Sequence, residues 1–343
     1  MAELNTPILL VTGAGGWLGL NLLAQLAASS RPPRVRSLFP PHENTDQAAK
    51  ILPSMEIVRG DIRNVRDWED FLRDSAGGVL IHTAGIIHPK SVRQFYEINL
   101  EGTKNLLKAA TAARVKRAVI VSSNSPNGCN PHPDHRFDEQ SPYHPYMHYG
   151  RSKMLMELAV QEAHRRANLE TVLIRAPWFY GPFQPPRQTL FFTMIRDGKA
   201  PLVGSGANLR SMSNTERLAQ GLFLAAASEK ASGQIYWMAD ARPYSIVEII
   251  DTIEKLLEEF GLNCSHGRMK LPSVASDVAF CMDKFLQAFG LYHQKIHVLS
   301  EMNKTIACTT AKAERELGFQ PAPGLEDGMR KSIQMCLPVL TGR

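Results

Sequence analysis

Tyr149 and Lys153 stand four residues apart in the run Tyr-Gly-Arg-Ser-Lys. On a helix that spacing puts both side chains on one face, so a phenol and an ammonium address one site. A nearby positive charge favours phenolate and draws a tyrosine below its ordinary pKa of about 10, which suits proton transfer near neutrality. Ser123 follows the apolar run 118–121 and would hold a substrate oxygen between its hydroxyl and the tyrosine. A Tyr-x-x-x-Lys pair alone is common on surface helices. Its meaning depends on the elements that carry it.

Those elements start at residues 7–19. An apolar run at 8–11 reads as a buried strand, stops at a glycine cluster, and gives way to an alanine- and leucine-rich helix pattern at 17–28. Gly13 and Gly16 permit a sharp turn and close approach to a ligand, and Gly19 permits close packing of helix on strand. The free N–H groups at the helix start then suit a pyrophosphate. Further strands are expected at 35–39, 56–58, 79–81, 118–121, 171–174 and 234–238, and helices at 65–73, 91–113 and 149–166. Such alternation predicts a parallel sheet with crossover helices on both faces, and ligands at the carboxyl ends of its strands. Asp61, Thr83 and Ser123 all fall there. The fold class is α/β. The expected division is a dinucleotide-binding domain at 1–182, to which 211–240 return, and a smaller, mostly helical substrate lobe at 183–210 and 241–343.

The 343 residues, 44% hydrophobic and 21% charged, suit a soluble enzyme expected in the cytoplasm, with no bilayer-spanning run and no signal segment. The net charge of +6 is spread along the chain, which argues against a nucleic-acid partner. Cys129, Cys264, Cys281, Cys308 and Cys336 are scattered, so neither a disulfide framework nor a zinc site is indicated. His132 and His135, with Asp134 and Asp138, read as a substrate-side loop in preference to a metal site, and no metal is expected. His144 and His148 lie close enough in sequence to Tyr149 to line its pocket.

Several motifs occur together in order: Thr12-Gly13-x-x-Gly16-x-x-Gly19, Gly60-Asp61-Ile62, His82-Thr83-Ala84-Gly85, Asn99 in Asn-Leu-Glu-Gly-Thr-Lys-Asn, then Ser123, Tyr149 and Lys153. The tail 312–321 adds a closing helix and loop. Over residues 7–325 the chain resembles the extended short-chain dehydrogenases/reductases, including NAD-dependent epimerases/dehydratases and 3β-hydroxysteroid dehydrogenases. The resemblance implies a Rossmann-type doubly wound sheet and hydride transfer between a nicotinamide and a carbon bearing oxygen. It assigns Tyr149 as general acid/base, Lys153 to the nicotinamide ribose and Ser123 to the carbonyl. It also implies cofactor contacts at Gly13, Gly16, Trp17, Leu18, Gly19, Asp61, Ile62, Thr83, Ala84, Gly85, Asn99, Tyr149, Lys153, Ala176 and Pro177, and a homodimer. A nucleotide-binding sensor or scaffold without turnover is the non-enzymatic alternative.

Cofactor choice between NAD and NADP stays open, because the second strand ends Leu38-Phe39-Pro40-Pro41 with neither an acid nor a base, and Arg36, His42 and Glu43 lie nearby. For the substrate, Ser123-Asn124-Ser125 replaces the Thr-Asp-Glu that resembling dehydratases carry, which argues against dehydration. Trp178 stands where nucleotide-sugar members often have an asparagine, and with Phe179 it favours an apolar, ring-shaped alcohol of 3β-hydroxysteroid or sterol type. Arg210, in Gly-Ser-Gly-Ala-Asn-Leu-Arg, resembles the diphosphate arginine of sugar enzymes, which supports the alternative, a nucleotide-sugar 4-epimerase or reductase, but it reads equally as a structural surface arginine. Apolar residues at helical spacing in 271–299 fit either packing of the lobe or a lid or peripheral membrane patch over a lipid-like substrate.

Overall fold

The structure, a computed structural model, describes residues 4–166 and 169–342. Strands β1 (Leu9–Thr12), β2 (Val35–Phe39), β3 (Glu56–Arg59), β4 (Val79–His82), β5 (Arg117–Val121) and β6 (Glu170–Arg175) form most of the central sheet. The helices between them are α1 (Trp17–Ala27), α2 (Asp46–Ile51), α3 (Trp68–Leu72), α4 (Val92–Gln94), α5 (Thr103–Ala112) and α6 (Met147–Arg166). The second half adds short strands β7 (Trp178–Tyr180), β8 (Pro201–Val203), β9 (Leu209–Arg210), β10 (Met212–Asn214), β11 (Ile235–Trp237), β12 (Tyr244–Ser245) and β13 (Met269–Leu271). Its helices are α7 (Pro186–Arg196), α8 (Thr215–Ala227), α9 (Ile246–Glu259), α10 (Val274–Ala288), α11 (Gln294–Glu301), α12 (Ala311–Leu317) and α13 (Glu326–Thr341).

The seven-stranded sheet runs β11-β6-β5-β4-β1-β2-β3 with every pair parallel. Every residue of β1, β4 and β5 is buried, as continuous apolar runs covered on both faces should be. One covering layer packs Leu22 of α1 and Leu218 of α8 against Val11 and Ile174. The other packs Leu106 of α5 and Met156 of α6 against Leu10 and Ile120. The chain leaves β3 at one edge and re-enters as β4 on the far side of β1. The cleft for a ligand therefore opens at the carboxyl ends of β1 and β4.

A separate apolar cluster, with Phe192 of α7, Ile253 of α9 and Ile333 of α13, forms the core of the smaller lobe. The packing divides the tail differently from the expected 241–343 lobe. Ala313, Leu317 and Phe319 join the sheet's own cluster, and Lys312 Nζ donates to Gln234 Oε1 and Ile235 O beside the edge strand β11. The helix expected at 91–113 is interrupted by a wider π-type coil at Phe95–Gly102, and α2 has no counterpart among the expected elements.

Glu157, in the middle of α6, is completely buried and faces Arg175 at the end of β6, with Oε2 2.7 Å from Nη2. It also accepts from Ser122 Oγ at 2.5 Å and Tyr143 OH at 2.8 Å, so one carboxylate ties α6 to the ends of β5 and β6. Removing one partner leaves the other charged and buried, at a cost of about 3–5 kcal/mol, whereas replacing both by apolar groups is often neutral. Urea unfolding of Glu157→Ala is expected to show that loss, and the double variant Glu157→Met with Arg175→Met to recover most of it. A single-variant loss under about 1 kcal/mol would mean the pair is no clamp.

Candidate active site

The glycine turn is built as a cradle. Gly13 has φ +77°, and a Cβ there would meet Ala84 N at 2.6 Å and Thr83 Oγ1 at 2.7 Å. At Gly19 a Cβ would meet Gly13 O at 2.1 Å, so both positions are closed by packing. Gly16 differs, because its Cβ would meet Gly13 O alone at 3.3 Å and faces open space. Gly16 precedes α1 with no side-chain cap and no acid in the first turn, leaving backbone donors for an anion. Leu18 is buried, while Trp17 Nε1 donates to Pro182 O at 2.8 Å and so ties the turn to the chain after β7.

Around this cradle the other expected cofactor residues converge. Asn99, buried in the π-type coil, exchanges both hydrogen bonds with the Ile86 backbone and donates to Ser152 Oγ at 3.2 Å. A Cβ on Gly85 would lie 3.2 Å from Asn99 Oδ1 and 3.5 Å from Lys153 Nζ. Thr83 Oγ1 donates to Thr12 O at 2.9 Å. His82, below them, is held neutral, its pKa brought down to about 3 by burial with help from the Lys153 charge. Its ring lies 2.6 Å from Thr12 Oγ1 through Nδ1 and 3.1 Å from Thr103 Oγ1 through Nε2. Since Thr103 already donates to Asn99 O, the proton belongs on Nε2. Asp61 is held below the usual carboxylate range by its bonds from Arg63, and Ile62 packs where a Gly102 side chain would sit. Ala176 and Pro177 are buried at the turn after β6.

Two of the residues that the sequence left open around the end of β2 take different places. Arg36 is buried and turned away, spent on Phe71 O, Arg73 O and Glu56. Arg59 donates to Pro40 O and Glu43 O and to Thr45 Oγ1, stapling the loop that carries Glu43. A Cβ on Gly15 would lie 2.3 Å from Glu43 Oε1, so this carboxylate rests on the glycine turn. Burial raises its pKa.

Tyr149 and Lys153 share one face of α6, and Ser123 lies beyond the end of β5. Burial pushes the Tyr149 phenol up to about 12, against the Ser123 hydroxyl, which lowers it, while the Glu301 charge raises it further. Lys153 is brought down to about 8 by burial, opposed by the Glu157 charge. Its Nζ donates to Val121 O at 3.1 Å. The Tyr149 shift, with burial its leading cause, runs opposite to the depression that the Tyr149–Lys153 spacing predicts. Ser123 Oγ accepts from Ser125 N at 3.3 Å, lies 3.4 Å from both Asn124 Oδ1 and Ser125 Oγ, and faces the Tyr149 phenol.

The small lobe closes over this end with residues that had no sequence signal. Tyr292 packs on Phe95, which packs on Tyr149. His297 is paired with Asp283 at 2.7 Å, its pKa raised by that carboxylate and Glu301 against the effect of burial. Their nearness comes from the α10–α11 hairpin, over a hundred positions from Tyr149. His148 is engaged by Tyr96 OH at 2.6 Å, and His144 is exposed. Among the described residues no group of three or more His, Cys, Asp or Glu is placed to hold a metal ion.

The expected substrate residues separate into two places. Trp178 meets Phe191 in a tilted pair at 5.8 Å and Phe179 meets Trp17 edge-on at 6.1 Å. Both line a cleft with Met212 and Ile253 that none of Ser123, Tyr149 and Lys153 lines. Arg210 is instead buried on β9, donating through Nη2 to Glu301 O, while its Nε has no partner.

A profile of the NAD dependent epimerase/dehydratase family matches residues 9–239. The chain is 50% identical to an uncharacterized protein, y4nL, of Sinorhizobium fredii, over 97% of this chain and 96% of the relative. It is 26% identical to 3beta-hydroxysteroid-dehydrogenase/decarboxylase isoform 1 of Arabidopsis thaliana, over 94% of this chain and 78% of that protein. Its fold matches that of a dTDP-glucose 4,6-dehydratase from Streptomyces venezuelae, solved with NAD and TYD bound, with a TM-score of 0.76 at 27% identity, covering 96% of this chain and 97% of that one.

The open face of Gly16 and the carboxylate on Gly15 fit the adenosine diphosphate half of a nicotinamide dinucleotide. In a fluorescence titration, Gly16→Val is expected to weaken NADH binding by about a hundredfold or more while leaving the unfolding midpoint nearly unchanged. The same titration should show NADH binding about tenfold tighter than NADPH, and Glu43→Gln narrowing that gap. Equal affinity for the two cofactors in the unaltered protein would remove Glu43 from the ribose site.

Proposed function

As the chain belongs to the NAD dependent epimerase/dehydratase family, we propose that it interconverts a secondary alcohol and a ketone on a nucleoside-diphosphate sugar, as an epimerase or reductase. The nicotinamide supplies the hydride chemistry when bound. Tyr149 moves the proton of the reacting oxygen, Ser123 holds that oxygen, and Lys153 with Asn99 anchors the ribose side. Glu43, resting on the glycine turn, supports NAD in preference to NADP.

The observation that carries the substrate reading is Arg210. Its guanidinium is buried, one nitrogen is unpartnered, and no carboxylate pairs with it among the described residues. A buried cation left in that condition is costly, and an anionic group of the substrate would complete it. This reverses the order that the sequence favours, because Trp178 and Phe179 line a different cleft from Tyr149. The presence of Asn124 and Ser125 where dehydration would call for an acid supports epimerisation or reduction over loss of water. A 3β-hydroxysteroid-like alcohol is the second reading, supported by the Trp178–Phe191 pair and by the Arabidopsis relative.

Two measurements test this. UDP or dTDP, added with NADH, should raise the unfolding temperature, and Arg210→Met should abolish that shift while keeping the one from NADH alone. A shift from a 3β-hydroxysterol and none from either nucleotide would overturn the diphosphate reading in favour of the second. Because the phenol is raised, it rests protonated at neutral pH. Oxidation needs phenolate and reduction needs phenol, so across a panel of UDP- and dTDP-hexoses kcat/KM for oxidation should climb from about pH 6 to pH 9 while that for reduction stays flat. Tyr149→Phe should lower both by about a hundredfold or more; a variant keeping a tenth of the rate would displace Tyr149 from its role.

A further inference from the structure

Helix α10 is amphipathic in the reverse sense. Ser276, Asp283 and Gln287 point inward and are buried, while Val274, Val278, Met282, Phe285 and Phe289 form an outward stripe at helical spacing. Phe285 is 64% exposed and Phe289 70%, with their rings 5.0 Å apart. The inward polar set is anchored by its bonds. Gln287 Oε1 accepts from His148 N at 3.1 Å, Asp283 pairs with His297, and Ser276 Oγ donates to Leu299 O and Ser300 O. The helix cannot roll its apolar side inward without breaking these contacts.

The unpaired charge on α10 and the segments flanking it has one sign. Lys270, Lys284 and Lys295 are exposed and in no ion pair among the described residues. Asp277 is held by Lys304 at 2.8 Å, and Asp283 is buried. We infer that this face docks on an anionic lipid bilayer, with Phe285 and Phe289 entering the interface and the lysines meeting the headgroups. A second copy across a twofold axis would set the same lysines against one another, whereas a bilayer supplies the missing negative charge. No helix among the described residues is long and apolar enough to cross a membrane, so the contact is peripheral. Since the inner side of α10 holds the first turn of α6 beside Tyr149, docking brings the bilayer to the back of the element that roofs the site.

The test is co-sedimentation of the full chain with vesicles of phosphatidylcholine, alone or with about one third phosphatidylglycerol. Binding to the anionic vesicles and little to the neutral ones is expected. Phe285→Glu with Phe289→Glu should lower the partition at least about tenfold, with NADH affinity and unfolding midpoint unchanged. Lys284→Glu with Lys295→Glu should lower it on anionic vesicles too. The inference is overturned if the unaltered protein stays in solution with anionic vesicles, or if the phenylalanine variant binds them as well as the parent. It is equally overturned if sedimentation velocity shows a dimer that this variant loses, since a second copy would then cover the stripe.

Discussion

The geometry of the reactive end depends on a buried ion pair that takes no part in chemistry. Glu157 and Arg175 meet where α6 crosses the ends of β5 and β6, and Ser122 and Tyr143 complete the carboxylate's acceptor positions. Such a pair is a weak source of stability, because desolvating both charges offsets most of their attraction. What it supplies is register. Glu157 lies one turn beyond Lys153 on the same helix, so fixing it against two strand ends fixes the height of Lys153 and Tyr149 above the sheet. Arg175 is further held over the rings of Tyr143 and Trp237, which leaves its guanidinium little freedom.

The same burial sets the electrostatics of the site. Tyr149 is pushed toward the neutral phenol and Lys153 toward the neutral amine, for one reason: the surroundings disfavour charge of either sign. His82 beneath them is neutral on the same account. Lys153 keeps its proton engaged by Val121 O, and Ser123 faces the Tyr149 phenol. The polar groups are thus pre-placed, and a ligand that replaces the backbone partner of Lys153 changes the field at the phenol.

Much of this was legible because it is local. The apolar runs of the sheet, the glycine turn and the Tyr149–Lys153 spacing are each written within a few residues, and burial on both faces turns runs such as 118–121 into central strands. What was hidden depends on distant chain segments. Spacing alone predicts that Lys153 lowers the Tyr149 phenol, yet burial is the leading cause and raises it. Trp178 and Arg210 both read as substrate residues, yet the cleft that Trp178 lines does not include Arg210, which is buried on β9. Of Arg36, His42 and Glu43, it is Glu43 whose loop is stapled by Arg59 from the neighbouring strand.

Helix α10 shows the limit of periodicity most clearly. Its apolar residues recur at helical spacing, and the ordinary inference from such a pattern is that the stripe faces the core. Here the stripe faces out, because the competing polar residues have stronger claims on the interior: an aspartate paired with a histidine, a glutamine bound to the backbone of α6, and a serine bound to α11. Moment and period locate a face but not its direction. The direction follows from which face has bonding partners, and a helix whose polar side is satisfied inside leaves its apolar side to whatever lies beyond the molecule.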